Sequence, residues 1–130
     1  MSSITVPHTP ASASLVRHRM ADELAGLLPV AVLDVAALLV SELVGNAVRH
    51  GLALPSGGLR ASWELAEGGL RVEVVDGGDG PVGPPLPPSP DAEGGRGLAL
   101  VQALAANWGS APARPGTAVW ATVPGAVPQP

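Results

Sequence analysis

The chain has 130 residues, enough for one hydrophobic core and one domain. A net charge of −4 argues against electrostatic binding to nucleic acid or to anionic membranes, and the seven basic residues are all arginine, which excludes lysine-dependent chemistry such as a Walker loop. Cysteine is absent, so disulfides, thiol chemistry and cysteine-ligated metals are excluded, and a reducing compartment fits.

In chain order, residues 3–6 read as a short strand closed by Pro7. No long apolar run occupies the first 20 residues, so a secretory signal is not expected and a cytoplasmic domain is. From Pro10 to Leu28 the apolar positions Leu15, Val16, Met20, Leu24, Leu27 and Leu28 recur at helical spacing, and Pro29 breaks the helix. A second helix is expected over residues 30–50, with Val32, Val35, Leu39 and Leu43 facing the core and Gly51 as its C-terminal stop. Asp34, Glu42 and Asn46 interrupt its apolar run, which argues against a membrane span.

Leu59, Ala61, Trp63 and Leu65 alternate with polar or small residues, and after Glu67-Gly68-Gly69 the alternation resumes at Leu70, Val72 and Val74. That pattern predicts a hairpin with one buried face. Residues 77–95 carry six prolines between Pro81 and Pro90 and read as a loop. A third helix is expected over 97–107, strands over 108–113 and 117–123, and a frayed tail over 124–130. The domain, residues 1–123, is thus an α/β two-layer sandwich: a mixed, mainly antiparallel sheet covered on one face by about three helices. Trp63 and Trp120 are expected in the core, and Trp108 either there or on a partner surface.

Three stretches carry signals that packing does not require. Glu42, Asn46, Arg49 and His50 fall on one helix face, which alone suits a solvated stripe as well as a site wall. Asp76, opening DGGDG, shares strand parity with Leu70, Val72 and Val74, so its carboxylate points where the buried side chains point and needs hydrogen-bond donors there. Asp-Gly also suits a plain turn. In GGRGLALV, Gly95-Arg96-Gly97 opens a helix whose backbone N–H groups can approach a phosphate.

In that order the motifs resemble the ATP-binding domain of the GHKL superfamily, in its branch of bacterial anti-sigma-factor serine/threonine kinases. LLVSELVGNAVRHG is similar to the N box, VEVVDGGDG to the first glycine box, GGRGLALVQALAANWG to the second and TAVWATV to the closing strand. The resemblance implies a Bergerat-type fold that holds ATP between helices and sheet under a lid. It implies Glu42 as general base, Asn46 as the Mg²⁺ ligand and Asp76 as acceptor from the adenine amino group. Gly78 and Gly80 would let the chain pass close to the base, and Gly95, Arg96, Gly97 and Leu98 would form the phosphate loop at the lid's end. With no lysine present, Arg49 and Arg96 are the candidates for neutralising phosphate charge.

Implied partners are an anti-anti-sigma protein, a sigma factor, or both, and dimers are common in the branch. Two residues depart from its pattern. Gly45 stands where threonine is frequent, at a cost of about 1 kcal/mol in helix propensity. Ala118 stands where the closing strand carries a threonine that helps hold a water beside adenine, and Thr117 precedes it on the opposite strand face. Intact Glu42 favours a kinase; the proline-rich lid and Ala118 favour a rival reading, a nucleotide-binding protein-interaction module without useful phosphoryl transfer. Hydrolysis to ADP alone is a third reading.

Overall fold

Period-two patterning in the second half of the chain and helical patterning in the first build a sheet with helices on one face. The structure, a computed structural model, describes residues 1–66, 69–78 and 101–125. Its elements are β1 (Ser2–Val6), α1 (Ser12–Leu24), α2 (Val30–His50), β2 (Leu59–Ala66), β3 (Gly69–Asp76), β4 (Asn107–Pro112) and β5 (Thr117–Val123), with residues 101–104 also helical.

The strands lie in the order β1-β2-β3-β5-β4. The mainly antiparallel sheet expected is present, and every pairing among the described residues is antiparallel. The reason is topological: the connection from β3 to β4, which includes the helical residues 101–104, skips one position, and β5 returns into that gap against both neighbours.

The alternation dictates the core. Leu70, Val72 and Val74 of β3 point to the helix face with Leu59, Ala61 and Trp63 of β2 and Ala121 and Val123 of β5. Against them α2 lays Ala36, Leu39, Val40, Leu43, Val44 and Ala47, a stripe centred one step round the helix from the expected Val32/Val35 edge, and those two valines are only half-buried. From α1 come Val16, Met20 and Leu24. Trp63 is buried and its indole N–H donates to Glu23, which also accepts from Ser2 Oγ at 2.6 Å, so α1, β1 and β2 are tied at one corner. These two bonds hold the Glu23 carboxyl below its ordinary range. By length and composition α2 is apolar enough to cross a membrane, with a mean hydropathy of 1.8 over its best window. Its apolar stripe is instead spent on the sheet and on α1.

Several expected boundaries shift. The first helix ends at Leu24, not Leu28, because Ala25 turns extended and Gly26 takes a φ of +79°. The third helix stops at residue 104, and Ala106 N–H already donates to Thr122 O of the sheet (2.8 Å), so Asn107 belongs to β4. Trp120 is not a core residue. It pairs with Glu73 on the face that carries no described helix, where the Arg71 guanidinium sits 4.6 Å from its ring centroid and bonds Glu73 at 3.3 Å. Trp108, by contrast, packs against the core's edge. Residues 126–130 of the tail lie outside the described residues.

Candidate functional site

The helix α2 delivers Glu42 and Asn46 one turn apart, both half-buried at the margin of its core stripe. Among the described residues neither has a hydrogen-bond or ion-pair partner, so a carboxylate and a carboxamide stand side by side, open to a ligand. Arg49 and His50 share that side of the helix in its last turn and are exposed; cations are favoured there by the helix dipole.

Gly45 finds its use here. A Cβ at Gly45 would lie 3.1 Å from Arg49 Nη1, so the arginine folds back one turn and rests its guanidinium on the bare backbone of residue 45. The propensity lost by glycine makes room for a positive charge between the levels of Glu42 and Arg49 on the helix.

One step past α2 the chain meets β3. Gly51 is extended (φ −100°, ψ −175°), not left-handed, so its role is close approach and not the helix-ending conformation expected of it. A Cβ there would stand 2.5 Å from Asp76 Oδ2 and 2.7 Å from Ala47 O. Asp76 itself is 8% exposed. Its Oδ1 accepts from Gly78 N–H at 2.7 Å, and Leu52 N–H also donates to the carboxylate. The buried carboxylate thus receives donors from the chain's own backbone, one of them in an Asx-type turn, and the turn-forming role of Asp-Gly holds alongside any other.

Gly77 N–H donates to Leu52 O at 2.8 Å, closing the same corner from the other side. Burial pushes the Asp76 carboxyl above its ordinary value; the Gly78 and Leu52 N–H groups and, more weakly, nearby His8 pull it back. With two donors engaged, a carboxylate keeps lone pairs for a further one.

Two further residues complete this corner. Thr117 is the cross-strand partner of Asp76, which places both on one face of the sheet, and its hydroxyl donates to Gly78 O at 2.8 Å. Ala118 pairs with Val75 on the opposite face, in a small cluster with Leu54. Ala118 therefore takes no hydroxyl away from Asp76, because Thr117 stands beside it. The signal was available in the spacing of TAVWATV against VEVVDG, once the register is known. The second is His8, whose ring reaches the last turn of α2.

Glu42 and Gly51 are nine positions apart, a rise of about 13 Å along the helix axis. Glu42 and Asn46 thus lie on the body of α2, while Asp76 packs against Gly51 just past the helix's last turn. Gly80, Gly95, Arg96, Gly97 and Leu98 lie outside the described residues, as does the proline-rich lid. Among the described residues no cluster of three or more His, Cys, Asp or Glu side chains forms a metal cage.

A family model described as the histidine kinase-like ATPase domain matches residues 6–123, nearly the whole chain. No curated protein matches it.

Proposed function

The chain belongs to the histidine kinase-like ATPase domain family, an ATP-binding fold, and from that premise we propose that it is a magnesium-dependent serine/threonine protein kinase of the anti-sigma type. The observation that carries the reading is the Asp76 corner: a buried carboxylate with a lone pair to spare, packed on Gly51 at the end of the helix that also bears Glu42 and Asn46, neither of which has a partner among the described residues.

Adenine sits at the Asp76 end, its amino group donating to a free lone pair of the carboxylate, with Gly78 and Thr117 alongside. Asn46 would hold magnesium through its side-chain oxygen, since this ion is commonly held by one or two side chains plus phosphate oxygens and water, and the ion would supply charge screening for the triphosphate. Glu42 accepts the proton of a partner's serine hydroxyl as its oxygen bonds to the γ-phosphorus; the bond from that phosphorus to the bridging oxygen breaks and ADP leaves. Arg49, seated over Gly45, neutralises charge on the phosphates, and the sequence offers Arg96 as a second cation for the same task. The partner is an anti-anti-sigma protein, with a sigma factor as the alternative ligand of a dimeric domain acting in the cytoplasm.

The test is incubation with γ-labelled ATP, magnesium and candidate anti-anti-sigma proteins, comparing wild type with Glu42→Ala. Label in the partner with wild type alone is expected. If both bind ATP and neither transfers label, the chain is a nucleotide-gated interaction module; release of phosphate without labelled partner makes it a hydrolase.

A further inference from the structure

The connection between β1 and α1 is held tightly for so short a segment. Ser12 is fully buried and its hydroxyl donates to Pro7 O at 2.6 Å, while Thr9 N–H donates to the same carbonyl at 2.9 Å. Ser12 N–H returns to Thr9 O at 3.1 Å. Between these bonds stands His8, half-buried, with Nε2 at 3.1 Å from Ala47 O in the last turn of α2. A carbonyl only accepts, so Nε2 carries the proton and donates.

Ala47 O is a shared acceptor. It also takes Gly51 N–H at 2.9 Å, the bond that sets where Gly51 lies. Gly51 in turn is the residue packed against Asp76 so closely that a Cβ has no room. A chain of direct contacts therefore runs from His8 to Ala47, Gly51 and Asp76. Pairing of Val6 with Leu59, and of Arg60 with Val75, shows that the end of β1 lies at the same end of the sheet as Asp76. The hydrophobic core does not need an imidazole here, since α2 is already buried along its stripe from Ala36 to Ala47.

We infer that His8 is a positioning residue of the base-recognition corner, holding the last turn of α2 against Asp76 so that the carboxylate is set for an adenine base. The inference rests on the nucleotide reading of that corner. It adds a residue from outside the three glycine and N-box motifs, on a strap that reaches the site from the far edge of the sheet.

The experiment compares wild type, His8→Ala and His8→Gln, the last keeping an N–H donor of similar reach. ADP and GDP affinities are measured by calorimetry well below each protein's melting point, and amide hydrogen exchange at Gly51 and Leu52 is followed without nucleotide. Expected for His8→Ala are ADP binding weaker by roughly fivefold to tenfold, the worth of one hydrogen bond, a narrowed preference for ADP over GDP, and faster exchange at both amides. His8→Gln restores most of each.

A His8→Ala protein that melts earlier but keeps wild-type affinity and base preference overturns the inference. So does a His8→Gln protein as weak as His8→Ala. Failure of wild type to bind ADP is a separate result: it removes the nucleotide reading itself, and the positioning role in base recognition with it.

Discussion

Replacing Gly51 with alanine tests the junction on which the site depends. Gly51 has an ordinary extended backbone, so alanine meets no torsional obstacle, and the whole effect comes from one methyl group. That methyl would lie 2.5 Å from Asp76 Oδ2, half an ångström inside the 3.0 Å that real Cβ atoms observe, and 2.7 Å from the backbone oxygen of Ala47. The carboxylate is tied by Gly78 and Leu52, and the helix carbonyl by Gly51 and His8, so neither gives way without breaking a bond. Overpacking of this kind costs about 1–3 kcal/mol. For a chain of this length that lowers the melting midpoint by roughly 5–10 °C. Thermal melts followed by circular dichroism, with nucleotide titration at 20 °C, read both consequences. A Gly51→Ala protein that melts within about 1 °C of wild type and binds ADP unchanged would refute the close approach. In an Asp76→Ala background part of the cost should vanish, since one of the two clashing groups has gone.

The neighbouring glycine predicts the opposite sign. Gly45→Ala meets only the mobile end of Arg49, so it should stabilise the protein by up to about 1 kcal/mol while weakening triphosphate more than diphosphate binding; a lower midpoint in melts would contradict the seat. Asp76 supplies a pH dependence. Its carboxyl is raised by burial above the unfolded value near 3.8, so its contribution to stability is present below that value and lost as pH rises through the folded one. Denaturant melts at several pH values should therefore show wild type gaining on Asp76→Asn as acid is added through this window, while ADP affinity of wild type falls; a constant difference would count against the buried charge. Asn46→Ala should remove most of the magnesium dependence of ATP binding in calorimetry, and equal affinity with and without the ion in both proteins would take magnesium off this residue. Glu42→Gln should bind ATP like wild type and transfer phosphate about 10²–10⁴-fold more slowly in the labelling assay; undiminished transfer would release Glu42 from its role.

What sequence periodicity could show, it showed well. The bounds of α2 and the β2–β3 hairpin follow from apolar spacing because those segments bury one clean face, and local patterning suffices for that. Legibility fails where a residue's role is set by a distant partner. Gly51 reads as a helix stop in sequence, yet it is glycine because Asp76, twenty-five positions on, leaves no room. Trp120 alternates like a core residue but falls on the sheet face without a described helix, which parity alone does not identify. Asp76 was visible as an acid of the wrong parity for solvent, while its two backbone donors, one from the residue after Gly51, belong to tertiary structure. His8 sits in no motif and Thr117 opens the closing-strand one without a role assigned to it, and only register and the fold of the β1–α1 strap bring them to the corner.

The central claim is that the surface running from Glu42 to Asp76 holds a nucleotide. Backbone amide shifts of isotope-labelled protein, recorded during titration with ADP and magnesium, test it most directly. The account predicts the largest movements at Asn46, Gly51, Leu52, Gly78 and Thr117, on the corner where α2 meets β3. Movements concentrated instead around Arg71, Glu73 and Trp120, on the opposite face of the sheet, would contradict it.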